Sequence, residues 1–207
     1  MKTSKCALGA VLLFLLSNSH AALERAQQPW RLGSFMELAS QNPNKLLRVA
    51  NGLFSKQRIL RVSADSSLAF EWQDRLAMVS ALSAFFDPSA KGISSKQLAH
   101  ARRLIVHALH NDPALFVRDG AVESIRRVLR MQPADTAFWK NDLEKAFLDK
   151  KNILDNEGLF IRETILTTMR EGNLRPSGVI AKEAKKDKNK NVQNYLKLWN
   201  TEAFETL

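Results

Sequence analysis

The segment LFVRD, Leu115 to Asp119, returns 44 residues further on as LFIRE, Leu159 to Glu163, and each copy stands at the head of an amphipathic stretch. Asp112 is placed to cap the first stretch, with Pro113 at its first helical position, where a missing N–H costs nothing. Val117, Ala121, Ile125 and Val128 then recur at helical spacing, while Asp119, Glu123, Arg126 and Arg130 share the opposite face. In the second copy Ile165 and Met169 stand where Ala121 and Ile125 stood. A helix with one apolar stripe cannot bury it alone, and a repeat of this length brings its own partners. The constraint predicts an all-α fold of stacked antiparallel helical hairpins in one compact domain, with neighbouring hairpins joining their apolar faces into a common core.

The rest of the chain carries the same pattern. Leu32, Phe35, Met36 and Ala39 make a short apolar stripe that Asn42-Pro43 ends, and Leu47-Arg48 follows at the spacing seen after Asp112-Pro113, like an earlier copy. Asp65 or Ser67 caps a helix bearing Leu68, Trp72, Leu76, Val79, Leu82 and Phe86 on one face until Asp87-Pro88 stops it. Pro88 to Gly92 reads as a linker. Ser94 and Gln97 then offer a capping box to a helix with Leu98, Ala101, Ile105, Ala108 and Leu109 inward, running to about Asn111. Trp139, Leu143, Ala146 and Phe147 form the next stripe, before Lys150 and Lys151 complement the helix C-terminus. A helix from Asp155 or Asn156 to about Gly172 follows, then a third hairpin leading to Val192, Leu196 and Trp199. Strand-period alternation is not sustained anywhere.

Residues 1–21 have the layout of a signal peptide: Lys2 and Lys5, an apolar run from Ala7 to Leu16, and the small-x-small site Ser19-His20-Ala21, with cleavage after Ala21 or, alternatively, Ala22. The run is shorter than the roughly 20 residues that a spanning helix needs. Cleavage removes Cys6, the only cysteine, so the stability of the exported chain rests on packing rather than disulfides. With no Asn-x-Ser/Thr sequon either, the expected location is a bacterial periplasm, with secretion as the alternative. Without the two signal lysines the chain keeps 29 basic against 21 acidic residues, a net +8 that favours acidic partners. Export argues against nucleic acid as that partner.

The paired-helix pattern resembles HEAT repeats, the units of armadillo-like α-solenoids. That family typically opens its second helix with Asp or Asn, then places Val or Ile five residues on and a basic residue at the sixth. The spacing appears here as Asp112, Val117, Arg118; as Asn156, Ile161, Arg162; as Asp187, Val192, Gln193; and more loosely as Asn42, Leu47, Arg48. The resemblance covers residues 94–207 well and leaves 22–93 as an N-terminal helical segment with degenerate repeats. It implies that Asp112, Arg118, Asn156 and Arg162 act as structural rungs between adjacent repeats. Gln193 departs from the pattern and cannot make a charged rung, and the units are unevenly spaced, 44 residues from Asp112 to Asn156 and 31 from Asn156 to Asp187.

No motif for phosphate cradling, zinc binding or nucleophilic catalysis is present, and the reading is of a protein that is not an enzyme and uses no cofactor. His100, His107 and His110 lie on one helix, but the first two are separated by about 10 Å along its axis, too far to share an ion. His107 and His110 are near enough, yet Arg103 on that flank opposes a metal. The stacked second helices would align Asp119, Glu123, Arg126 and Arg130 with Glu163, Thr167 and Arg170 as a partner-binding face, unless pairs such as Glu123 with Arg127 merely make it a solvated one. Two stretches are basic: Lys45, Arg48, Lys56, Arg58 and Arg61 with no acid between them, and Lys182, Lys185, Lys186, Lys188 and Lys190 against Glu183 and Asp187. The leading expectation is an exported non-enzymatic scaffold that binds another protein. The alternative is a binder of anionic envelope components, lipid headgroups or an acidic polymer, through those basic patches. A hydrolase or nucleic-acid enzyme on a HEAT-like frame is disfavoured by export and by the lack of an acid, base or nucleophile set.

Overall fold

The computed structural model describes residues 30–57, 71–132, 136–153 and 161–202. Residues 1–21, read above as a signal peptide, together with Arg58, Arg61, the cap candidates Asp65 and Ser67, and Asn156, lie outside them. Among the described residues there are nine α-helices and no strand. They are α1 (Trp30–Gln41), α2 (Pro43–Leu53), α3 (Trp72–Ser83), α4 (Ser95–Asn111), α5 (Leu115–Met131), α6 (Thr136–Leu148), α7 (Ile161–Glu171), α8 (Gly178–Lys185) and α9 (Lys190–Glu202).

Local chemistry sets most boundaries. The Asn42 side chain accepts the Lys45 N–H at 3.0 Å and Pro43 opens α2, so an orphan donor is met and no needed donor is lost. Ser94 and Gln97 close the expected capping box at the start of α4. Beyond α3 a 3-10 turn, Ala84–Phe86, carries the chain to Asp87-Pro88, where the helix stops. At the end of α7, Asn173 takes the left-handed conformation, φ 52°, which lets the Leu174 N–H reach the Met169 carbonyl at 2.7 Å while the Leu174 side chain is buried.

One start differs from the sequence reading. The fifth helix opens at Leu115 rather than Pro113, because Asp112 ends α4 in extended geometry, as a residue before proline prefers.

Counted over the described helices, packing joins those two apart. In one series α1 meets α3, α3 meets α5, α5 meets α7 and α7 meets α9; in the other α2 meets α4, α4 meets α6 and α6 meets α8. Consecutive helices α4 and α5, α6 and α7, and α8 and α9 pack against each other as well. The most extensive contact is α3 on α5. It is close because α5 presents small residues there: a Cβ on Gly120 would lie 2.1 Å from Leu76 Cδ1, and Ser124 Oγ donates to the Val79 carbonyl at 3.2 Å.

The expected stripes are buried where they matter most. Val117, Ala121, Ile125 and Val128 are inaccessible, as are Trp139, Leu143, Ala146, Phe147, Ile165 and Met169. Helix α5 also buries Val122 and Leu129, so its apolar face is wider than the stripe suggested, as a helix with neighbours on several sides requires. Fully burying each such aliphatic side chain stabilises the fold by about 1.5–3 kcal/mol relative to leaving it exposed. The α1 stripe is the exception: Ala39 is buried, but Leu32 and Met36 each keep 42% of their surface in solvent.

Candidate interaction surface

The turns that lead into α5, α7 and α9 hold a series of buried polar contacts. Arg75 on α3 grips the Asp112 carboxylate through Nε at 2.6 Å and Nη2 at 3.1 Å, and Asp112 Oδ1 also accepts the Ala114 N–H at 2.9 Å. Arg118 on α5 donates from Nε to Asn152 Oδ1 at 2.8 Å, and from Nη1 to the main-chain carbonyls of Asp112 and Pro113 at 2.8 and 2.9 Å. Arg162 on α7 meets Asp187 Oδ2 at 2.5 Å, an ionic contact off the hydrogen-bond axis, with its guanidinium 4.0 Å from the Phe147 ring centre. Each arginine therefore reaches from the start of one helix to the turn before the next helix in its series.

The rungs differ in detail from the sequence reading. The carboxylate of Asp112 belongs to Arg75, and Arg118 touches only the backbone of that turn. Asn152 supplies the contact for Arg118, whereas Asn156 is outside the described residues. Arg48 is exposed and makes no rung among the described residues, and α2 belongs to the other packing series. Arg75 escaped the motif because no Asp or Asn stands six residues before it, yet it lies 43 residues before Arg118, which lies 44 before Arg162. Gln193, though uncharged, donates from Nε2 to the Asp187 carbonyl at 2.6 Å, repeating the within-turn contact that Arg118 makes with Asp112.

Burial lowers the Arg118 guanidinium from its ordinary pKa, with Asp112 and Asp149 pulling it back up. For Asp149, burial alone would raise the carboxyl, but the Lys151 N–H and ammonium together with Arg118 bring it below the usual carboxylate range.

The polar residues proposed to face a partner do gather along α5 and α7, but as a laced seam. Arg126 pairs with Glu123 rather than leaving it to Arg127, and also lies 3.6 Å from Glu171. Arg130 donates to Glu171 Oε2 at 3.1 Å from Nε and 2.5 Å from Nη2. Asp119 is turned into the seam towards Thr164; burial foremost, and Glu123 after it, raise its carboxyl above the ordinary value. Between α7 and α9, Glu163 accepts from Asn189 and Asn191 at 3.1–3.2 Å, and Thr167 Oγ1 donates to the Tyr195 hydroxyl at 2.6 Å. Arg170 is half-buried on α7. The surface is thus a mixed-charge strip crossing three helices, with Arg127 and Arg130 exposed on α5.

Lys182, Lys185, Lys186, Lys188 and Lys190 are all exposed, at the α8–α9 end. The three histidines serve separate helix contacts: His100 Nε2 lies 3.0 Å from Asn51 Oδ1, His107 packs edge-on to Phe54, and His110 Nε2 lies 3.2 Å from Asp142 Oδ1. Burial, with Arg103 second, lowers the His100 pKa. Among the described residues no group of three His, Cys, Asp or Glu side chains is placed to hold a metal ion, and no helix is long and apolar enough to cross a membrane. No protein family, curated protein or solved structure matches the chain.

Proposed function

We propose that the chain is an exported, non-enzymatic scaffold, a HEAT-like stack of helical hairpins that binds another protein along the α5–α7–α9 strip. The observation that carries this reading is the packing of each helix on the one two places along, which supports a stacked arrangement and lines α5, α7 and α9 side by side. Side-by-side helices make a surface that no single hairpin offers. The mixed charge of Glu123, Arg126, Arg130, Glu163 and Arg170 suits a polar partner surface of complementary charge, with exposed Arg127, which makes no ion pair among the described residues, able to meet a carboxylate in forked geometry. Residues 1–21 supply the export reading.

The test compares the processed wild-type chain with Arg127→Glu/Arg130→Glu in pull-downs from the native envelope fraction. A partner held by the wild type and lost by the variant, with equal thermal midpoints, supports the strip as the binding surface. Equal retention by both proteins removes it. Recovery of an unshortened N-terminus by mass spectrometry would remove the export reading separately.

A further inference from the structure

The segment from α8 into α9 has five lysines and two acids in sequence, and its net field depends on where the acids point. Asp187 is turned inward: Oδ2 sits 2.5 Å from Arg162 and Oδ1 accepts the Asn189 N–H at 2.8 Å, with the side chain largely covered. Glu183 is matched by Lys186 at 3.1 Å on the surface. The nearby Glu163 is held by the amides of Asn189 and Asn191. Lys182, Lys185, Lys188 and Lys190 make no ion pair among the described residues, and all four are exposed. The fold has turned Asp187 inward and paired Glu183 with Lys186, and it leaves the other four ammonium groups outside.

A second observation comes from the register of α8. Ile180 and Ala184 are buried, which turns Val179, Lys182 and Lys186, spaced i, i+3 and i+7, to the opposite side. Val179 keeps 59% of its surface in solvent, the most among the exposed large apolar side chains of the described residues. An apolar side chain flanked by lysines on the outer face of a short helix is the arrangement of an interfacial contact.

We propose that the α8–α9 end docks on an anionic phospholipid surface, with the lysines in the headgroup layer and Val179 at the acyl boundary. Lysines on flexible stems act as point charges that follow a diffuse anionic layer, without the forked geometry that arginine brings to a single carboxylate. A protein-binding centre would instead be rich in aromatic and arginine side chains in a desolvated pocket. This inference stands apart from the protein-binding strip and does not need it.

The processed chain, purified from the envelope fraction of an expressing host, is sedimented with vesicles of phosphatidylcholine alone and with vesicles about one-third phosphatidylglycerol. Binding to the anionic vesicles only, weakening at high salt, is expected. Lys182→Gln/Lys185→Gln/Lys188→Gln should lower partitioning on the order of 100-fold, since each lysine near a charged bilayer is worth roughly a factor of five. The charge-matched control Lys45→Gln/Arg48→Gln/Lys56→Gln, at exposed sites on and just beyond α2, should bind like the wild type. Equal binding to neutral vesicles, an unaffected lysine variant, or an equal loss in the control would each overturn the proposal. So would lysine-dependent binding to polyglutamate with none to vesicles, which would assign the end to an acidic polypeptide.

Discussion

Arg75 of α3 and Asp112 at the end of α4 form a two-point ion pair, 2.6 and 3.1 Å, with both side chains removed from solvent. Their positions are 37 residues apart, and the pair ties α3 to the turn that leads into α5. Taking two charges out of water is costly, so much of the attraction within the pair is offset by their desolvation.

Breaking the pair from one side is expected to be severe. Arg75→Ala leaves Asp112 buried with only the Ala114 N–H as partner, and should lower unfolding stability by about 3–5 kcal/mol. A cycle with Asp112→Ala should show strong coupling in urea denaturation. The corresponding cycle of Arg118→Ala with Asp112→Ala should show weaker coupling, because Arg118 hydrogen-bonds Asp112 only at its carbonyl, which alanine retains, and feels the carboxylate through space alone. Strong coupling in the second cycle and none in the first would reverse the assignment of partners.

Val117→Asp places an unpaired charge at an inaccessible position of α5. The expected loss exceeds about 4 kcal/mol, enough to unfold a marginal domain. A thermal midpoint equal to the parent's would show that Val117 is not enclosed. Val117→Ala, losing only methyl groups, should cost less and keep the fold measurable.

Asp119 links stability to pH. Its folded-state pKa is raised above 3.8 by burial, with Glu123 adding to the shift and Thr164 and Arg126 opposing it. The folded chain then holds the proton more tightly than the unfolded one, so stability falls as pH rises through the window above 3.8. Asp119→Asn should therefore have a higher thermal midpoint than the parent at neutral pH, with the gap closing towards pH 4. A gap that widens on acidification would contradict the sign.

Asn173 occupies a left-handed position at the end of α7, φ 52°. Asparagine tolerates this conformation better than alanine does, so Asn173→Ala should cost about 1 kcal/mol, whereas Asn173→Gly should be neutral or slightly stabilising. Equal denaturation midpoints for the alanine and glycine variants would argue against the left-handed cap.

Periodicity and capping are local properties, and the sequence by itself determined what depends on them. The buried stripes of α4 to α7, the capping box of Ser94 and Gln97, the Asn42-Pro43 start of α2 and the all-helical character of the described residues follow from neighbours within a few turns. Partner choice is not local. Arg75 pairs with Asp112, Arg118 with Asn152 and Arg162 with Asp187 because packing helices two apart brings the head of one helix against a turn 25 to 37 residues away. The same packing turned Asp119 into the α5–α7 seam, left Arg48 outside and directed Asp187 inward, away from its lysine neighbours. A charged side chain has no periodic signature that distinguishes a rung from a solvated face. Only the tertiary structure, by placing one turn opposite another and excluding water between them, decided which charges are structural and which stay at the surface.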